Sequence, residues 1–354
     1  MKEYDFIIVG MGLAGVTLTQ HLLDQGRSVY AIQEEKSQSA SRIAAGLYNP
    51  ITGRKMTKTW KADKLFPYLI EYYSVLEEKW NSKFLHEIEI YRPFISTEEQ
   101  NEWSARTADE AYIPYVNKVY YESRSVNARD SYGGISLKLA GYLDTNRFLD
   151  HAIKAFLTID NFQIDHTEFI EGDLKLLDDF VEYNGIKAKQ IIYCNGPKTK
   201  DSHLFGWLPF SPVKGEILEI ESELLSDLII NRGVFVLPIG DNRFRVGSTY
   251  DNNDLEWSPS EKGRLMIEEK LKELISVNYK IVGHSAGVRP ATRDRKPFIG
   301  MHPKYKNVGI FNGLGTKGVS LAPYFANQFT QYLVNQSALD SEVNIERFYS
   351  NFKG

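Results

Sequence analysis

Cysteine is almost absent from this chain: Cys194 stands alone among 354 residues. An internal disulfide is therefore excluded, and so is any multi-cysteine metal cluster. The histidines show no metal-ligand spacing, and "HEIEI" at His86 lacks the second histidine of a zinc-binding helix pair, so no metal is expected. A G-x-S-x-G nucleophile elbow is missing as well. No apolar run approaches the roughly 20 residues of a membrane span, and the chain enters a strand-like run at Phe6 with no room for a signal peptide before it. A cytoplasmic protein with no membrane partner is expected, in which the sequon Asn335-Gln336-Ser337 carries no meaning. An excess of one charge sign is lacking too: the net charge of -4 gives no global argument for a nucleic-acid partner. Repeats, low-complexity tracts and linkers are absent, so the two domains suggested by the length are expected to interleave.

What is present begins with "FIIVGMGLAG". Phe6, Ile7, Ile8 and Val9 form an apolar run suited to a buried parallel strand, and Gly10, Gly12 and Gly15 follow at G-x-G-x-x-G spacing. Apolar residues then recur at helical spacing from Val16 to Leu23, with Gly26 as a C-cap, and Val29 to Ile32 completes a β-α-β unit. In such a unit the first glycine permits the tight turn, the second lets backbone approach a pyrophosphate, and the third lets helix and strand pack closely. A helix N-terminus with Leu13 and Ala14 then faces the anion. The acidic residue expected about 20 residues further on, for the ribose hydroxyls, falls at Gln33, with Glu34 next to it. Gln33 is the positional match and Glu34 the substitute.

Further along, 61–83 reads as a helix, and "LDTNRFLDHAIKAFL" as another with Asp144 or Thr145 as N-cap. Short strands are expected around Phe162–Phe169 and Phe180–Tyr183, then an Asn184-Gly185 turn. Strand patterns dominate 211–250, before a charged helix from about Ser260 to Ile275. Tyr and Trp are dense from 60 to 142, which plain packing explains as well as a pocket would.

Five motifs occur in one order: the glycine triplet, "SRIAAGLYNP" at 41–50, "LPFSPVKGEIL" at 208–218, "GVRPATRDRKPFIG" at 287–300 and "NGLGTKGVSLAP" at 312–323. On these the chain resembles the D-amino acid oxidase family of FAD-dependent amine oxidoreductases, with glycine oxidase closest in pattern. The resemblance implies a mixed α/β protein. A Rossmann-like FAD-binding domain would come from 1–50, 140–210 and 285–354, and a substrate domain with a mixed, largely antiparallel sheet from 51–139 and 211–284. It also implies non-covalent FAD, since no cysteine is available where covalent members attach flavin.

The resemblance assigns roles by position. Ala40, Ser41 and Arg42 match the loop that meets pyrophosphate and ribityl chain, and Ala45, Gly46 and Leu47 the segment beside the flavin ring. Phe169 matches the residue whose backbone binds adenine, and Cys194, Asn195 and Gly196 the strand-end turn under the cofactor. Gly313, Leu314, Gly315, Thr316, Lys317, Gly318 and Val319 match the loop and helix start at the pyrimidine end of the flavin. Reduced flavin is negative there, so helix N–H groups or a cation such as Lys317 would stabilise it; a solvated loop lysine is the competing reading. Arg289, the arginine of G-x-R-P, would fork onto a substrate carboxylate, against a structural ion pair with Asp294. Phe235 stands where glycine oxidase has a pocket tyrosine, and Thr316 where a second arginine would be, so glycine bound in the same way is not expected.

The implied activity is oxidation of the C–N bond of an amino acid or secondary amine to an imine that water hydrolyses, by hydride transfer to flavin N5. The electron acceptor is oxygen or another molecule, and oxidase and dehydrogenase stay open. Two alternatives are carried. "NP" at 49–50 and "GTKG" also resemble the oxidase domain of a bifunctional tRNA wobble-uridine enzyme that removes a carboxymethyl group from an aminomethyl base. If 53–64 is helical, Lys55, Lys58, Lys61 and Lys64 would make a basic stripe for phosphates; a solvated face is the preferred reading. The other alternative is a non-catalytic FAD-binding protein.

Overall fold

The computed structural model describes residues 2–34, 39–53, 55–125, 127–223 and 228–353. The apolar run near the N-terminus becomes the strand Lys2–Val9, with Phe6 to Val9 at most 5% exposed. Apolar on both faces, it sits inside a parallel sheet. Val29–Ile32 flanks it on one side, followed by Phe162–Asp165; Ile186–Tyr193 flanks it on the other, followed by Val308–Asn312. Phe298–Met301 adds an antiparallel edge to Val308–Asn312. Asn184 and Gly185, both at positive φ, turn the hairpin between Val181–Tyr183 and Ile186–Tyr193.

A second eight-stranded sheet runs in the order Lys280–Arg289, Val213–Glu221, Arg243–Gly247, Val234–Gly240, Ile229–Arg232, Ile90–Pro93, Gly134–Leu137, Val116–Tyr120. Every pairing is antiparallel except that of Ile229–Arg232 with Ile90–Pro93. The sheet is thus mixed and largely antiparallel. Its strands come from both sides of the parallel-sheet strands 162–193 in the sequence, and Lys280–Arg289 runs across residue 285, so the second sheet reaches Arg289.

Helix Leu13–Asp24 ends as its glycine predicts: Gly26, at φ +69, donates to Leu23 O, and Arg27 N reaches Leu22 O. Asp144 caps Thr145–Phe156 by accepting from Arg147 N, and Ser260 caps Glu261–Leu274 by accepting from Gly263 N. Pro323, inside helix Gly318–Asn335, has no N–H for Val319 O, and the Tyr73 hydroxyl donates to that carbonyl at 3.2 Å instead.

The lysine stripe does not form. Ile51–Thr52 pairs with Thr57–Lys58 as a hairpin, and Lys61, at φ +53, sits before a helix that starts only at Ala62. A period of three therefore has no common face to occupy. Lys58 instead pairs with Asp63 at 2.6 Å, and Lys61 with Asp340 at 2.6 Å and Glu342 at 3.0 Å.

His21 lies between helices, its Nε2 3.2 Å from Pro323 O and its ring 5.2 Å from that of Tyr72. Burial holds its pKa down to about 4, and His302 is held down to about 4 in the same way. The unfolded chain binds these protons near pH 6.5, so the stabilisation is complete above that pH and is withdrawn as pH falls towards 4. Each histidine then removes on the order of 2–3 kcal/mol by pH 4.5. Urea denaturation at pH 7 and pH 4.5 should show a smaller loss for His21→Gln than for wild type; equal losses would exclude His21 as a source.

Candidate active site

Between the two sheets lies a cleft of 2030 Å³, larger than the ~300–1,000 Å³ of a single-ligand pocket. Room for a cofactor and a substrate together is thus available.

The glycine loop forms one wall. Gly10 has φ +92, and a Cβ on it would lie 2.8 Å from Asn195 Cα. On Gly15 a Cβ would lie 1.9 Å from Gly10 O, so Gly15 serves loop-to-helix packing and does not line the cleft. Gly12 passes Ser41 Oγ, which accepts from Leu13 N at 3.0 Å. Helix Leu13–Asp24 carries no acidic residue in its first turn, leaving its positive end open to an anion. Gln33 and Glu34 both line the cleft. The Gln33 amide accepts from Met11 N at 2.6 Å and donates to Glu34 O, whereas the Glu34 carboxylate pairs with Lys198 at 2.9 Å.

Ala40 and Ser41 line the cleft; Arg42 does not. Its guanidinium is held by Asp150 at 2.6 Å and by the Asn146 carbonyl at 3.2 Å. The phosphate cation expected there is drawn away by helix Thr145–Phe156. Ala45, Gly46 and Leu47 line the cleft, with Gly46 at φ +74 where a Cβ would meet Leu143 O. Phe169, packed on Tyr183 and Tyr193, lines it too, as do Asn195 and Gly196. Cys194 is buried, which pushes its thiol well above the ordinary value and away from nucleophilic chemistry.

The loop from Gly313 to Val319 closes the far side. Asn312 ties it to the turn Gly196–Asp201, which follows Ile186–Tyr193, by donating to Gly196 O at 2.9 Å and Thr199 Oγ1 at 2.7 Å. Lys317, just before helix Gly318–Asn335, reaches Thr59 Oγ1 at 3.4 Å. Burial, then the nearby Arg295, lower its pKa, and no carboxylate among the described residues pairs with it.

Arg289 ends the strand Lys280–Arg289 and lines the same cleft as Phe235 and Thr316. Nη2 donates to Ser248 Oγ at 2.7 Å, and Nη1 to Thr249 O at 3.1 Å and Lys214 O at 3.4 Å. The guanidinium lies under the Tyr250 ring, 4.7 Å from its centre. Gly215 makes the seat: a Cβ there would fall 1.8 Å from Nη2. Asp294 pairs with Arg347 at 3.0 Å, so the structural ion pair considered for Arg289 is absent. Three of five N–H bonds are used on neutral oxygens, leaving the Nε N–H and one N–H of Nη2 for a ligand. No carboxylate among the described residues pairs with this cation, and burial lowers its pKa.

A family model described as FAD dependent oxidoreductase (DAO) matches residues 5–332. The chain belongs to this family. FAD is therefore its cofactor, and the glycine loop, the open helix end and the Gly313–Val319 loop fit such a group. The oxidoreductase is 30% identical to a glycine oxidase of Bacillus subtilis over 38% of this chain and 36% of that protein. It is 25% identical to a tRNA 5-methylaminomethyl-2-thiouridine biosynthesis bifunctional protein of Legionella pneumophila over 85% of this chain and 46% of that one. The matched stretches thus span less than half the length of these curated relatives. A glycine oxidase structure from Geobacillus kaustophilus superposes with a TM-score of 0.80 at 18% identity, covering 98% of each chain. Among the described residues of the oxidoreductase, no helix is long and apolar enough to cross a membrane.

Sequence reasoning missed Ser248, Thr249 and Tyr250, which hold the Arg289 guanidinium, and the seat at Gly215. The glycine lies inside the quoted motif "PVKGEIL", where its lack of a side chain was the available signal. "STY" carries no signal of its own, since it meets Arg289 only through sheet pairing.

Proposed function

We propose that this oxidoreductase oxidises the C–N bond of a carboxylate-bearing primary or secondary amine. The observation that supports this most is Arg289, a partly buried cation in the cleft with two N–H donors left over and no carboxylate partner among the described residues. A substrate carboxylate completes it, because a partly buried guanidinium is stabilised by a matched anion. Fixed at that end, the substrate has its α-carbon oriented by the Arg289 fork and by Tyr250 and Phe235 around it, and orientation supplies much of the rate. Bound FAD would supply the acceptor for a hydride from the carbon beside the nitrogen, and water would hydrolyse the imine so formed.

The chain's residues would hold FAD non-covalently as follows. Gly10, Gly12, Leu13, Ala14 and Ser41 take the pyrophosphate, with Gly15 packing the loop. Glu34 takes the ribose, because the Gln33 amide is spent on Met11 N and the Glu34 carbonyl. Phe169, Asn195 and Gly196 line the adenosine end. Ala45 to Leu47, Lys317 and the N–H groups at Gly318 and Val319 serve the ring. Oxygen or another acceptor would take the electrons.

A second reading rests on the 85% of the chain aligned with the tRNA-biosynthesis protein: a carboxymethylaminomethyl base on tRNA also presents a carboxylate to Arg289. The test is anaerobic mixing of the purified yellow protein with glycine, D-amino acids, N-methyl and N-carboxymethyl amines and cyclic imino acids. Bleaching of the flavin by carboxylate-bearing members is expected. No bleaching by any of them, with salt-sensitive tRNA binding, would favour the second reading; no bleaching and no tRNA binding would leave a non-catalytic flavoprotein.

A further inference from the structure

Strand Val213–Glu221 alternates across its sheet. Gly215 faces the cleft and seats Arg289, while Lys214 and Glu216 point to the other side, towards helix Glu261–Leu274. Both are charged, yet Lys214 is 1% exposed and Glu216 3%. Lys214 Nζ lies 2.6 Å from Asp254 and 3.5 Å from Glu216, whose carboxylate accepts from Ser260 N and Ser260 Oγ and lies 2.8 Å from His284 Nε2. Burying such ions adds little net stability compared with apolar packing. Their placement behind the arginine seat calls for another reason.

Asp254 supplies it. It ends the segment Ser248–Asp254, the same one that gives Arg289 the Ser248 hydroxyl, the Thr249 carbonyl and the Tyr250 ring. This segment docks on the strand by paired backbone bonds between Lys214 and Asp251, at 2.8 and 3.1 Å, and by Glu216 N donating to Thr249 Oγ1 at 2.9 Å. Asp251 closes its turn by accepting from Asn253 N and Asp254 N. Lys214 O in turn accepts both from Asp251 N and from Arg289 Nη1.

We infer that Lys214 is a positioning residue: its buried ammonium pins the Ser248–Asp254 segment through Asp254, and so fixes the angle at which Arg289 presents its fork to the substrate carboxylate. The inference rests on the proposed carboxylate-binding role of Arg289. Burial opposes the charge on Lys214, but the Asp254 and Glu216 carboxylates outweigh it and hold the pKa above the ordinary lysine value.

Lys214 is too buried for its own removal to be a clean test, so Asp254→Asn is used. This change keeps the shape and removes the anion at a partly exposed position. The holoenzyme variant should show about a tenfold rise in KM for a carboxylate-bearing substrate, with kcat changed far less. FAD content and KM for the decarboxylated amine should stay as in wild type, and Asp254→Glu should recover most of the loss. A rise shared equally by both substrates, or an unchanged KM, overturns the inference. If Arg289→Lys discriminates between the two substrates and Asp254→Asn does not, the inference alone fails. If Arg289→Lys does not discriminate either, the carboxylate reading itself has failed.

Discussion

Arg289→Lys should lower the efficiency of flavin reduction by a carboxylate-bearing substrate by roughly one to two orders of magnitude, with bound FAD unchanged. Lysine keeps the positive charge but has no planar fork, and its three N–H bonds cannot serve Ser248 Oγ, Thr249 O and both oxygens of a carboxylate at once. Losing one charge-assisted bond costs about 1.5–3 kcal/mol, which sets that range, and the substrate is also held less squarely. Reduction by the decarboxylated amine should be nearly equal in mutant and wild type. FAD should be retained because the guanidinium is seated in the antiparallel sheet, on Gly215, and not on the glycine loop. A variant that expels FAD or unfolds while its surviving fraction turns over normally would make the arginine structural.

Gly15→Ala should give protein that purifies largely free of FAD. The new methyl would lie 1.9 Å from Gly10 O, a backbone atom that cannot swing aside. Loop and helix must separate, and overpacking of this kind costs about 1–3 kcal/mol or more, enough to weaken cofactor binding by ten- to a hundredfold. Gly172→Ala is the control, since nothing lies within 4 Å of its Cβ position. Flavin absorbance per protein at fixed added FAD separates the two. A Gly15→Ala protein with full flavin content and wild-type affinity would remove the glycine loop from the cofactor site.

The sequence made the β-α-β unit legible because strand, glycines and helix are contiguous, and their spacing is fixed by local sterics. Phe6 to Val9, Gly26 and the Asn184-Gly185 turn lie where local rules put them. Contacts between distant segments were not legible. Arg42 looked available for phosphate, but Asp150, more than a hundred positions away, takes it. The lysines from 55 to 64 have a helical period, yet the hairpin and the left-handed Lys61 break the helix they would need. Arg289 stood out by its motif, while its seat is assembled from Gly215 and Ser248–Tyr250 on two other segments.

The most direct measurement is anaerobic stopped-flow reduction of the wild-type holoenzyme by an amine from the panel and by the same amine without its carboxylate. Rapid bleaching by the first is expected, and reduction by the second slower by at least about tenfold, the loss that one charge-assisted contact implies. Equal rates for the two would contradict it, because Arg289 would then hold nothing of the substrate.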